Sequence, residues 1–227
     1  MNGTDVYNIL RDNGVNSLHH ANTVTTSCTY LGIGGLASRG YVEDHHLAQT
    51  LQYSDNADKR LGIWYDIFLD GVDIHNRGRR RNDYGPVLFN IPISILKDLP
   101  PGTDVLVTRK NPVNWKYRET DDDHYFMTPS QLCDNYCYGD FGKHIIIRNQ
   151  DGFLPFGRTR FSILLDDPLC TLASGQNAYT SAVQRLEYSA LHGGLMANIS
   201  KRICRPGCLC LSGHSRSYDQ INMDLCF

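Results

Sequence analysis

The sequence predicts an α+β fold, and three observations predict it. Short runs rich in β-branched and aromatic residues recur along the first three quarters, among them Val87–Ile91, Ile145-Ile146-Ile147 and Phe161–Leu165. Turn formers separate them, with Pro100-Pro101-Gly102 as a hard break and Asp151-Gly152 as a hairpin-type dipeptide. Stretches with helical period are few, the longest being Ala178–Leu191. Many strands with few helices make an α+β architecture.

In chain order, residues 1–14 are a polar lead with a short apolar helical piece. A strand ends at His19-His20, Ala21 to Thr26 offers N-caps for a helix, and Gly34-Gly35 can stop that helix in a left-handed cap. Residues 40–83 read as a long, partly irregular insertion, within which 62–69 (GIWYDIFL) is dense enough for a buried strand or helix edge. Val87–Ile91 is a strand, Ile93–Leu99 a helical turn opened by Pro92, and Asp104–Thr108 another strand. Residues 109–130 carry charge and turn formers without period and read as a loop. Gln131–Tyr138 suits a two-turn helix and Gly139-Asp140-Phe141-Gly142 a turn, with strands at 145–147 and 161–165 about the 151–152 hairpin. Beyond Asp166-Asp167-Pro168 the composition shifts to Cys, Gly and Ser. Residues 1–168 therefore read as one domain and 169–227 as a small helical, Cys-rich C-terminal appendage, with Val183, Leu186 and Leu191 on one helix face.

At 227 residues the chain can bury a substantial core. No apolar run approaches the roughly 18 residues of a membrane span, and the opening MNGTDVYNILRDNG has neither a basic leader nor an apolar signal core. The expectation is a cytoplasmic protein with no membrane partner, whose eight cysteines are thiols. A net charge of −2 gives no global basic field for nucleic acid, so such binding would need a local patch. Arg77, Arg79, Arg80 and Arg81 are the candidate; a solvated basic loop is the plain alternative.

Two blocks carry a resemblance. Residues 18–40, LHHANTVTTSCTYLGIGGLASRG, run strand, histidine pair, polar segment, helix and then Gly34-Gly35-Leu36-Ala37-Ser38-Arg39; residues 83–89, DYGPVLF, lead into an apolar strand. This order resembles the NAD-binding half of the DarT-type nucleic-acid ADP-ribosyltransferase toxins, over roughly residues 17–165. The resemblance implies an ADP-ribosyltransferase-like split β-sandwich with flanking helices, NAD+ as co-substrate, and transfer of ADP-ribose to a nucleobase. The overall pattern is most similar to mRNA-modifying members of toxin, antitoxin and chaperone phage-defence systems. That favours RNA over DNA and implies a protein antitoxin and a chaperone as partners.

Such transfer breaks the bond between ribose and nicotinamide through an oxocarbenium-like state, so the enzyme's work is positional and electrostatic. By the resemblance, His20 would meet the ribose or amide end of NAD, and Asn22 or Thr23 would fix its tautomer or the carboxamide. Gly35, Leu36, Ser38 and Arg39 would line the cofactor pocket. Tyr84 would stack on nicotinamide or else cap a sheet edge. Arg77, with Arg79–Arg81 as alternatives, would meet phosphates, which suit the planar guanidinium fork. The family pattern has a Glu at the start of a late strand, where this chain has Lys143-His144-Ile145, and no Glu occurs between 119 and 187. Asp140, on the turn before, is the nearest acid; His144, whose ordinary pKa lies near neutrality, is the alternative proton acceptor. Tyr136, Tyr138 and Phe141 would stack on an unpaired base and Arg148 would approach it, with packing against the core as the plain alternative.

Cys204, Cys208, Cys210 and His214 offer zinc-type ligands, yet their spacing lacks the usual Cys-x2-Cys, and a reduced tail held by a neutralising partner is the alternative. Two other function classes stay open. One is a catalytically inactive NAD-binding or protein-binding module, favoured by the missing Glu; the other is a zinc-binding regulatory protein.

Overall fold

The computed structural model describes residues 1–79, 82–203, 207 and 227. Helix α1 (Gly3–Asp12), capped by the Asn2 side chain on Asp5 N–H, buries Val6 and Leu10. Strand β1 (Ser17–Asn22) enters α2 (Val24–Ile33), which begins at the Thr23 cap and ends at Gly34 in the left-handed conformation, φ 79°. There follow β2 (Gly35–Ala37), α3 (Arg39–Asp44) and α4 (Asp55–Leu61). Next come β3 (Ile67–Asp70), α5 (Ile74–Gly78) and β4 (Val87–Pro92). A 3-10 turn at Ile93–Lys97 leads to β5 (Asp104–Val107), then α6 (Asp121–His124) and α7 (Pro129–Asn135). The chain continues through β6 (His144–Arg148), β7 (Phe153–Pro155), β8 (Ser162–Leu165), α8 (Ala178–His192) and β9 (Asn198–Lys201).

The strands form a seven-stranded sheet, in the order β5-β6-β3-β1-β4-β8-β9, and a two-stranded sheet of β2 and β7. Every pairing is antiparallel except β8 with β9. One core joins them: Leu18, Leu69, Phe89, Ile145 and Ile163 from the large sheet meet Leu36 and Leu154 from the small one and Leu31 from α2. The fold is thus mixed α+β with a mostly antiparallel sheet.

Four places depart from the sequence expectations. The segment 40–83 is partly irregular, as expected, yet it is no mere insertion: besides α3, α4 and α5 it supplies β3, an interior strand of the large sheet. Within 109–130, Asp121–His124 is helical, started by a capping box between Thr120 and Asp123. Asp151-Gly152 does not close a hairpin between its flanking strands. Both edges of β6 are already taken, by β3 and β5, so β7 leaves the sheet and pairs with β2.

The fourth concerns the segment after 168. α8 buries Ala178, Ala182, Leu186 and Ala190, a spacing of four that forms one helix face, and it packs on α2. Leu191 falls off that face and is exposed. β9 extends the large sheet by parallel pairing with β8. Arg202, with its side chain 7% exposed, bonds Asp166 at 2.5 Å and Asp73 at 2.8 Å, tying the end of β9 to the turn before α5. The described residues to 203 therefore share the core of the first 168. No helix among the described residues is long and apolar enough to cross a membrane.

Leu186→Ala removes a fully buried side chain at the α8–α2 contact and should cost about 2–5 kcal/mol. A single cooperative denaturation curve with a lowered midpoint is the expected result; an appendage separate from the core would leave the main transition in place.

Candidate functional site

The site is built at the middle of the large sheet. β1 and β4 are registered along the whole of β1, from Ser17 opposite Pro92 to Asn22 opposite Val87. On its other side β1 shares one registered pair with β3, His19 opposite Asp70. Beyond it the ladder opens, and a side chain fills the gap: His20 Nδ1 lies 2.8 Å from the Phe68 carbonyl oxygen. A carbonyl only accepts, so Nδ1 carries the proton and Nε2 is left as the acceptor. Asn22 Nδ2 donates to that Nε2 at 3.4 Å and to the Tyr30 hydroxyl at 3.3 Å. Burial pushes the His20 pKa down, against the Phe68 hydrogen bond and Asp70, so the ring is held neutral. Burial likewise pushes the Tyr30 hydroxyl up to about 12.

Residues directly opposite in an antiparallel ladder face the same side, and neighbours along a strand face opposite sides. His20, opposite Phe89, is on the core side. His19 is on the other, in register with Asp70, which is in register with His144; on its second edge it pairs with Asn90, and Asn90 with Ser162. Five polar residues from five strands thus form one row across the sheet.

Within the row, His144 Nδ1 lies 2.9 Å from Asp70 Oδ1, with side-chain exposures of 13% and 22%, low enough to screen the pair from bulk water. The Phe68 ring meets the His144 imidazole edge-on, and the His144 backbone N–H donates to Thr108 Oγ1. With Nδ1 donating to the carboxylate, Nε2 is the lone-pair nitrogen, and no described residue bonds it. This is the arrangement in which a carboxylate orients an imidazole as a proton acceptor. Next to the pair, His19 Nδ1 and Asn90 Oδ1 are buried without hydrogen-bond partners. Burial lowers the His19 pKa, opposed by Asp73 and Asp70 and reinforced by Arg202. Unmet buried polar atoms beside a carboxylate suit a ligand carrying hydroxyls or an amide.

Three further groups rim the row. Gly85 packs on the end of β1, where a Cβ would fall 2.4 Å from the Asn22 carbonyl, and this fixes the backbone next to Tyr84, which is half-exposed. Burial raises the Tyr84 pKa, with Asp70, Asp58 and Asp83 adding to it. Gly71 leaves room for the Tyr136 hydroxyl, which would lie 2.5 Å from a Cβ there. Tyr136 is therefore mostly buried against the strand end, and not presented for stacking on a base; burial, then Tyr138, Asp140 and Asp70, push its hydroxyl up. Arg77 is exposed and its guanidinium lies against Gly139.

The other sequence candidates lie elsewhere. Thr23 caps α2 and bonds Thr50 Oγ1 at 2.9 Å. Ser38 caps α3, and Gly35 and Leu36 are buried in β2. Arg39 is held by Asp55 at 2.6 Å and the Thr50 carbonyl at 2.8 Å, although its Nε is unmet. These groups belong to the core side of β1, around His20. Asp140 is exposed, with its carboxylate on Gly142 N–H at 2.8 Å and Lys143 Nζ at 3.3 Å. Tyr138 and Phe141 are exposed on the same turn, while Arg148 ends β6 in a bidentate pair with Asp66. Arg79 ends α5. Arg80, Arg81, Cys204, Cys208, Cys210 and His214 lie outside the described residues. Among those described, no group of His, Cys, Asp or Glu is placed to hold a metal ion, and Cys28, Cys133 and Cys137 carry free thiols.

Compared with protein-family models and with curated proteins, the chain matches none. The sequence brought forward His144 and His20; the structure adds Asp70 and His19 to the side that His144 faces. The alternation of a strand puts one histidine of an HH pair on each side, and Asp70 closes an apolar strand just before Gly71. Both signals were present; neither says which side is which.

A histidine whose pKa is lowered by folding contributes stability above its ordinary pKa of 6.5, and that contribution is lost as pH falls below it. Unfolding free energy should therefore decline from pH 6.5 downwards, and His20→Leu should flatten the decline while lowering stability at pH 8 by about 1–3 kcal/mol for the orphaned Phe68 carbonyl. Denaturant melts between pH 5 and 8 check both; an unchanged slope in the variant would contradict the assignment.

Proposed function

We propose that the chain is an NAD-dependent ADP-ribosyltransferase acting on a nucleobase, RNA being favoured, with His144 as the proton acceptor. The observation that carries this reading is the Asp70–His144 pair at 2.9 Å, facing the same side as His19 at the opening between β1 and β3. The order of the blocks at 18–40 and 83–89 supports NAD as the co-substrate. As a substrate, NAD supplies a glycosidic carbon whose bond to the cationic nicotinamide breaks to release neutral nicotinamide. Asp70 places negative charge beside the developing positive charge on that ribose. His144 Nε2 takes the proton lost by the attacking nitrogen, and Asp70 stabilises the imidazolium that results. His19 and Asn90 offer their unmet atoms to the carboxamide or ribose hydroxyls, Tyr84 its ring to nicotinamide, and Arg77 its guanidinium to phosphate. His20 acts as a positioning residue, holding the two strands at their opening.

On this reading the protein is a cytoplasmic toxin that a protein antitoxin restrains, with a chaperone as a further partner. A second reading, a binding module without turnover, is favoured by the commitment of Arg39, Thr23 and Ser38 to the protein's own groups.

Mass spectrometry of RNA incubated with protein and NAD should find ADP-ribose on a base. His144→Ala should lower the transfer rate by about 10²–10⁴. Asp70→Asn should lower kcat more than it raises KM, because the imidazolium loses its counter-charge. Asp140→Asn should stay within a few-fold of wild type, since its carboxylate only braces a turn. Full activity in His144→Ala would remove the proton acceptor from the proposal.

A further inference from the structure

Four residues along β6 from His144, and on the same side, Arg148 opens onto a cleft of about 300 Å³. Strand geometry puts it about 13 Å from the Asp70–His144 pair. Its walls come from the end of α4, the segment before α6, α6 itself and Tyr125. Three cations meet there. Arg148 is fixed by Asp66 at 2.8 and 2.7 Å and donates to the Tyr125 hydroxyl at 3.2 Å, so the phenol's own proton is left for another acceptor. Arg60 makes one bond, from Nε to the Asn56 carbonyl, and the Lys116 ammonium makes none among the described residues.

The acids of the cleft are divided. Glu119 is engaged by Lys110 at 2.5 Å and by the Lys116 backbone N–H at 2.9 Å, whereas no described residue bonds the Asp121 carboxylate. At the wall, His124 is 9% exposed and stacked on Trp115, ring centroids 3.9 Å apart and 9° from parallel. His124 Nε2 and Trp115 Nε1 are both buried without a hydrogen-bond partner, although Glu119 Oε2 lies 3.4 Å from the former. Tyr117 stands 89% exposed at the mouth.

Two uncommitted cations suit a phosphate, a spare carboxylate accepts from hydroxyls or amino groups, and an exposed tyrosine offers a face to a planar ring. A cleft of this size takes one small ligand. We propose that it is a second ligand site, separate from the His144 row, which takes a nucleoside phosphate, either free or as one unit of a single strand. Its phosphate lies between Arg60 and Lys116, its hydroxyls reach Asp121, and its base packs on Tyr117. The site stands whether or not His144 transfers ADP-ribose.

Calorimetric titration of the full chain with AMP, and separately with single-stranded RNA and DNA of one sequence, tests it. Arg60→Ala with Lys116→Ala, both on exposed positions, should weaken binding at least tenfold and reduce the salt dependence on a strand by about 1.4 log units per log of salt. His124→Phe, which keeps the stack and removes the nitrogens, should weaken binding several-fold. Binding of AMP that the double variant loses assigns the cleft to free nucleotide, and binding of a strand without AMP, likewise lost in the double variant, assigns it to the polymer; either supports the site. A wild-type protein that binds none of these, or a double variant that binds as tightly as wild type, would overturn it.

Discussion

In a sheet of seven strands the central one, β1, shares a single registered pair with its neighbour β3, so the joint there depends on side chains. The imidazole of His20 supplies the donor that the opened backbone ladder does not, by bonding the Phe68 carbonyl. Asn22 then holds the ring from its other nitrogen and is itself fixed by bonding Tyr30 and accepting from Thr23 N–H. This joins the start of α2 to the strand pair. A neutral histidine is suited to the place: one nitrogen donates, the other accepts, and no charge has to be buried.

The same joint creates the candidate site. An antiparallel pair that is closed at His19–Asp70 and open one step later leaves polar side chains at a strand boundary where they can be half-buried yet reached. The Asp70–His144 pair gains orientation from the ladder on both sides, since β3 and β6 stay in register as far as Ile67 and Ile147. Unmet atoms on His19 and Asn90 are a cost in a protein interior, and a bound ligand would relieve it. The chemistry on the two sides of β1 is therefore unlike: on one a histidine locked into structure, on the other a histidine and a carboxylate–imidazole pair with free valence.

Long-range packing also fixes what surrounds the site. Arg202, from the end of β9, sits between Asp166 and Asp73, and its charge is felt by His19. A segment that looks detachable by composition thus adds to the electrostatics around His19, after burial, Asp73 and Asp70. The segment from 109 to 126 walls the cleft at Arg148 through Tyr125 and the Trp115–His124 stack, although locally it is short of both period and apolar density.

By itself the sequence determined what short-range forces control. The α+β class, the strands at Val87, Asp104, Ile145 and Ser162, the left-handed end of α2 at Gly34 and the long helix from Ala178 all follow from β-branching, turn chemistry and periodicity. That His144 heads an apolar strand was legible too. Tertiary structure alone decided that Ile67–Asp70 is an interior strand, that β7 leaves β6 to join β2, and that the helix after 168 lies in the common core. It also decided that His19 and not His20 faces Asp70 and His144. The physical reason is the same in each case: a period of two states that neighbouring side chains diverge but not which side becomes the core, and that choice is made by which strands hydrogen-bond across sequence separations no local pattern encodes.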